Sequence, residues 1–230
     1  VEYFVDSFIA ALQLIFALDP EIYFIAWTSL KVSLIATAAA SLTGIPLGLL
    51  TALRDFSGKQ AVLLILNTLM ALPTVVVGLI FYGFLSRRGP LGDLELLFTP
   101  MGISLGLFVL AVPIVTNLTI AAIQGLDSRL FVTCRLLGAT PTQQALMILK
   151  EARFAVTAAV VVAFGRLISE VGIAMMLGGN ISGYTRTMTT AIALETSKGE
   201  FELGLALGIF LLSVAFVVNA ALFVLQRRHA

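Results

Sequence analysis

Arg166 and Glu170 stand four positions apart inside an apolar run of this 230-residue sequence. On a helix that spacing puts both on one face, where opposite charges neutralise each other. Arg before Glu is the weaker order for helix stability, so the pair reads either as a salt bridge locking helices together or as a two-state latch. Gly102-Ile103-Ser104-Leu105-Gly106 has the spacing of a hydrolase nucleophile. That chemistry needs a strand–turn–helix context and a histidine partner, and the sole histidine is His229. Gly44/Gly48 and Gly204/Gly208 repeat the same glycine spacing, and close helix packing is the expected role of all three sets. Gly58-Lys59 is the only Gly-Lys pair, yet position 53 is Leu and Gln60 follows, so no phosphate-binding loop is present. With one cysteine and one histidine, neither an internal disulfide nor a metal cluster is expected. No catalytic residue and no cofactor are assigned, and any ATP hydrolysis would belong to another subunit.

The elements that must carry these residues follow from composition. The chain is 59% hydrophobic and 12% charged, with a mean hydropathy of +1.04. Soluble domains hold about 25% charged residues, and disordered chains are poor in Leu, Ile and Val. A net charge of +1 supplies no field for nucleic acid. The sequence therefore describes an all-α integral membrane protein. Five apolar stretches are long enough for the roughly 20 residues a bilayer demands: about Ile22–Leu50, Ala61–Leu85, Gly102–Ile123, Phe154–Leu177 and Phe201–Leu225. Phe4–Leu18 is shorter and carries Asp6, so it is expected to lie on the interface. Glu2 and Asp6 argue against its being a signal peptide.

Basic residues set orientation. Arg54, Lys59, Arg129, Arg135, Lys150, Arg153, Arg227 and Arg228 fall on one side, against only Asp55, Asp127 and Glu151. The other side is acidic and carries Trp27 and the tyrosines. The basic side is expected to be cytoplasmic, with the N-terminus outside and the C-terminus inside. In this frame Arg166 and Glu170 lie at membrane depth, where a lone charge costs at least ~2.5–3.5 kcal/mol. Met175 and Met176 beyond them read as packing.

Between the third and fourth stretches lies a helix–Gly–helix hairpin, about 127–151. Asp127 can cap its first helix, and Gly138 suits the stop. Thr140, Pro141 and Gln143 then open a second helix with a capping box, whose apolar content is Ala145, Leu146, Ile148 and Leu149. On the opposite side, Gly178–Thr190 is rich in Gly and Thr. It reads as a wet loop, or as a place where Thr185, Arg186 and Thr187 flank an anion path whose contacts must be weak for flow to continue.

Together these features resemble the permease subunit of an ABC importer of the type I (MetI-like) fold, across essentially the whole chain. The family's loop signature reads E-A-A-x-x-x-G-A; Gly138 and Ala139 match it, and Ile148 falls on its later apolar position. Val132-Thr133-Cys134 replace E-A-A, and Glu151 replaces the closing proline. Ser169-Glu170-Val171-Gly172, Gly179-Asn180-Ile181 and Thr185-Arg186-Thr187 are similar to molybdate, sulfate and tungstate permeases. TMTTAIALETSKGEF, from Thr187 to Phe201, looks closest to the tungstate branch.

The resemblance implies a single transmembrane permease domain over 1–230, in the cell (inner) membrane, importing tungstate, with molybdate or sulfate as alternatives. It implies a homodimer with a second permease copy, two ATP-binding subunits, and a separate extracellular or periplasmic oxyanion-binding protein. It also implies that Gly138, Ala139, Thr140, Pro141, Leu146, Ile148 and Leu149 couple the chain to the ATPase. Arg166, Glu170, Thr185, Arg186 and Thr187 remain as pathway or latch candidates. A self-sufficient channel or secondary carrier is the rival reading; such carriers usually show an inverted repeat, and none is found here.

Overall fold

The structure is a computed structural model describing residues 8–9, 12–13, 15–17 and 19–227. Residues 8–9, 12–13 and 15–16 are helical; the rest of the expected interfacial helix, with Glu2 and Asp6, lies outside the described residues, as do Arg228 and His229. Among the described residues the regular structure is helical, with one 3₁₀ turn at Gly92–Leu94.

Helix α1, Pro20–Leu53, starts where Asp19 accepts the Glu21 and Ile22 N–H groups, with Pro20 in the first turn. Its 34 residues reach about 50 Å, beyond the roughly 30 Å hydrocarbon thickness. Helix α4, Pro100–Gln124, is capped by Thr99, which accepts from Gly102 N–H at 3.1 Å. α1 and α4 are neighbours, and Gly44 and Gly48 are the reason they approach so closely. A Cβ on Gly48 would stand 2.8 Å from the Thr116 carbonyl oxygen, and one on Gly44 3.1 Å from Val115. Gly106 likewise leaves room for Ile173 and Leu177. The last pair divides: Gly204 is buried, with Thr196 Oγ1 3.3 Å from where a Cβ would stand, whereas nothing lies within 4 Å of a Cβ at Gly208. Ser104 donates to the Pro100 carbonyl inside α4, which is helix geometry and not a nucleophile elbow.

Three helices, counting Phe201–Ala221 of the last, are long and apolar enough to cross a membrane, or five if each of two bent pairs is one span. The bends correct the reading of the second and fourth stretches as continuous. Helices α2 (Lys59–Met70) and α3 (Thr74–Leu85) meet at 96°. Pro73 lacks an N–H and disfavours helical geometry at Leu72, so the helix stops there despite unbroken hydrophobicity. Helices α5 (Ser128–Leu136) and α6 (Pro141–Glu151) form the hairpin. Helices α7 (Arg153–Ile168) and α8 (Gly172–Gly178) meet at 58°. Helix α9, Met188–Lys198, and helix α10, Phe201–Arg227, complete the bundle.

α1 and α7 occupy the centre. One core cluster joins Val32 and Ala36 of α1, Leu107 and Ala111 of α4, Leu167 of α7 and Ile173 and Leu177 of α8. A second joins Ile22 and Ile25 of α1, Phe164 and Ile168 of α7, Met188 of α9 and Leu207 of α10. A third, Ile123, Ile148, Ala152 and Val156, roots the hairpin in the bundle. α2 buries none of its residues.

Candidate functional site

The break between α7 and α8 is made by Glu170. Its Oε1 accepts the N–H groups of Gly172, at 2.9 Å, and Ile173, at 3.4 Å, at the start of α8. Its Oε2 accepts from Arg166 at 3.0 Å. A carboxylate capturing first-turn N–H groups takes the place of the carbonyls that a continuous helix would offer. The spacing of four was read as one helical face; instead the pair spans a bend, and Glu170 lies past the last residue of α7. Its side chain is 3% exposed while that of Arg166 is 47% exposed. The guanidinium is held by one edge, and its remaining N–H groups have no partner among the described residues.

Glu170 is also gripped through its backbone. Its carbonyl accepts from the Thr189 hydroxyl at 2.8 Å, and Thr189 lies 3.2 Å from the Thr187 hydroxyl. Thr187 caps α9 through a reciprocal box with Thr190. Ser29 of α1 accepts the Met188 N–H at 2.7 Å, which ties the same cluster to the central helix. Gly172 lets α3 approach: a Cβ there would meet Thr74 Oγ1 at 3.1 Å.

The Gly178–Thr187 loop uses most of its polar groups within itself or on α1 and α9, though the buried Asn180 Oδ1 and Arg186 Nε have no partner among the described residues. Thr185 is buried, donating to the Gly178 carbonyl at 2.5 Å and accepting from Ile181 N–H at 3.0 Å. Arg186 pairs with Glu21 at 3.3 Å and stands 3.9 Å from Glu195, with a side chain only 14% exposed. Thr185, Arg186 and Thr187 thus fasten this loop to α1 and α9. Of the five pathway or latch candidates, Arg166 alone presents a substantially open charged group.

The hairpin has the predicted caps. Asp127 accepts the Arg129 N–H at 2.8 Å. Thr140 and Gln143 form the reciprocal box, with Pro141 in the first turn. Gly138 sits at φ +70°, the left-handed region that lets Ala139 N–H reach the Cys134 carbonyl at 3.0 Å. The seven coupling candidates divide by burial. Ile148 is 0% exposed and packs on Ile123, Ala152 and Val156, with Leu149 partly buried beside it. Leu146 is exposed, as are Leu136, Leu137 and Met147. Ile148 therefore anchors the hairpin, and the outer residues make the free apolar tip.

Two residues absent from the sequence reading also meet. Asn117 of α4 donates to Asn67 of α2 at 2.6 Å, 50 positions away. Each is a lone asparagine in an apolar stretch, so no local signal pairs them.

Bent helices around long apolar helices, a buried carboxylate at a bend and a projecting capped hairpin characterise the chain. Residues 44–230 match the family described as the binding-protein-dependent transport system inner membrane component, and the chain belongs to that family. It is an ABC importer permease. It is 38% identical over 226 residues, 98% of this chain and 99% of the relative, to the tungstate uptake system permease protein TupB of Peptoclostridium acidaminophilum. It is 41% identical to TupB of Campylobacter jejuni, over 95% of this chain and 92% of that protein. In fold it is similar to a chain of the inward-facing MetNI methionine ABC transporter, with a TM-score of 0.75 and 18% identity, covering 91% and 98% of the two chains.

Proposed function

We propose that this chain imports tungstate into the cytoplasm as the non-catalytic permease half of a transporter. Two copies form the pathway, two separate ATP-binding subunits dock on the α5–α6 hairpins, and an external binding protein delivers the oxyanion. The observation that carries the substrate is the full-length similarity to tungstate permeases at 38% and 41% identity. The docking role is supported by the hairpin's build: a tip exposing Leu136, Leu137 and Leu146 on a root held by Ile148. Closing of the ATPase pair pulls the tips, and the buried roots pass that motion to α4 and α7, which then move as rigid elements.

In the same reading, Arg166–Glu170 is the latch at the α7–α8 bend. Arg166 offers the dianion a charge-assisted donor, already half-satisfied by Glu170 so that the contact stays weak enough for release. Uptake by cells co-expressing the chain with its neighbouring ATPase and binding protein tests the assignment. ATP-dependent accumulation of tungstate, unaffected by excess sulfate, is expected. Equal accumulation with the ATPase absent would overturn the division of labour, and a preference for molybdate would reassign the substrate.

A further inference from the structure

Asn67 and Asn117 sit where polar groups are expensive. Asn67 is eight residues beyond Lys59, the first residue of α2, and Asn117 is seven before Gln124, the last of α4. At 1.5 Å per residue both lie roughly 10–12 Å inward from the hairpin ends of their helices. Asn67 is exposed and Asn117 half-buried. An amide facing hydrocarbon loses its hydrogen bonds to water without replacement, so the exposed Asn67 amide favours a polar neighbour over lipid tails.

The hydrogen bonds also set which atoms point outward. Asn117 donates one amide hydrogen to Asn67 Oδ1 at 2.6 Å and the other to Met70 Sδ at 2.9 Å. Asn67 is thereby held with its oxygen inward, and its NH2 group has no partner among the described residues. The exposed end is a pair of donors without charge. From Leu118, the residue after Asn117, α4 and α7 share a shallow, open apolar depression of about 270 Å³ lined by Leu118, Ala122, Ala155, Ala158, Ala159 and Val162. One turn past Val162 is the open guanidinium of Arg166. Arg166 lies 13 residues along α7 from Arg153, roughly 20 Å in from the same end. Asn67 and Arg166 are thus two donor groups at successive depths from the same end, on different helices.

We propose that Asn67, held by Asn117, is an uncharged hydrogen-bonding step for the transported oxyanion on the hairpin side of Arg166. The proposal rests on the oxyanion-permease reading. Donors without charge suit a site that an anion must leave as readily as it enters.

The complete transporter with its ATPase and binding protein, reconstituted in vesicles, provides the test. Asn67→Asp keeps an acceptor for Asn117 but turns a charge toward the anion; Asn67→Leu removes the hydrogen bond. Like-charge repulsion should cut tungstate uptake on the order of ten-fold or more in Asn67→Asp, with ATP hydrolysis retained, and less in Asn67→Leu. The reverse order would mark a merely structural pair and overturn the proposal. Should Asn67→Asp fail to assemble, Asn67→Cys with Cys134→Ser decides. Labelling by an anionic thiosulfonate, slowed by tungstate, is expected; absence of labelling in both nucleotide states overturns the proposal. A wild-type complex that takes up no tungstate defeats the permease assignment itself, whereas normal uptake in Asn67→Asp defeats only this step.

Discussion

At the scale of single residues, Glu170 concentrates the most structure into one side chain. It caps α8, anchors Arg166 and receives Thr189 through its own carbonyl. Glu170→Gln keeps the size and one carbonyl oxygen but removes the charge, and it brings an amide donor into the site beside the guanidinium. Each charged hydrogen bond lost is worth about 1.5–3 kcal/mol, enough to shift a two-state bend without unfolding a bundle cored by three apolar clusters. Reduced tungstate uptake at near-normal membrane levels is the expected outcome, read by transport assay beside immunoblot. Normal uptake by a stably assembled variant would remove the latch.

At the scale of elements, breaks matter as much as helices. Pro73 ends α2 by chain covalency, and Glu170 ends α7 by electrostatics; the first break turns the chain by 96° and the second by 58°. The hairpin depends on a third stop, Gly138. Nothing lies within 4 Å of a Cβ there, so a substitution is penalised only through its backbone. A left-handed conformation costs an ordinary residue roughly 1–2 kcal/mol, and Asn visits it more readily. Gly138→Val should therefore lose ATPase docking or uncouple hydrolysis from uptake, while Gly138→Asn retains most of both. Co-purification of the ATPase with each variant checks this. Equal behaviour of Val and Asn would show that the left-handed turn is not what matters.

At the scale of the whole molecule, the proposed orientation places the hairpin in the cytoplasm and the Gly178–Thr187 loop outside. Leu137 and Tyr184 are both exposed and lie at these opposite ends. In a Cys134→Ser background, Leu137→Cys should react with an impermeant maleimide only in inverted vesicles, and Tyr184→Cys only in intact cells. The opposite labelling would invert the topology. The complete absence of buried residues in α2 is a whole-molecule property too: its own chain leaves apolar side chains such as Leu64 and Ile65 exposed.

Much of this protein was legible along the chain because its signals are local. Twenty-residue apolar runs, the Thr140–Gln143 box and the stop at Gly138 depend on residues within a few positions of each other, and local chemistry settles them. The membrane class and the hairpin follow directly. The tertiary structure alone decided which polar groups are free. Arg166 and Asn67 stand in apolar stretches and Arg186 in a Gly- and Thr-rich loop, and nothing in their spacing says which of them has partners. Yet Arg186 is drawn to Glu21 and Glu195, while Arg166 keeps one edge open and Asn67 turns its donors outward. Those outcomes depend on partners up to 165 positions distant, and a hydrogen bond across that separation leaves no trace in spacing or hydropathy. Ile148 likewise shares its helix with Leu146, and only packing against α4 and α7 made one an anchor and the other a tip.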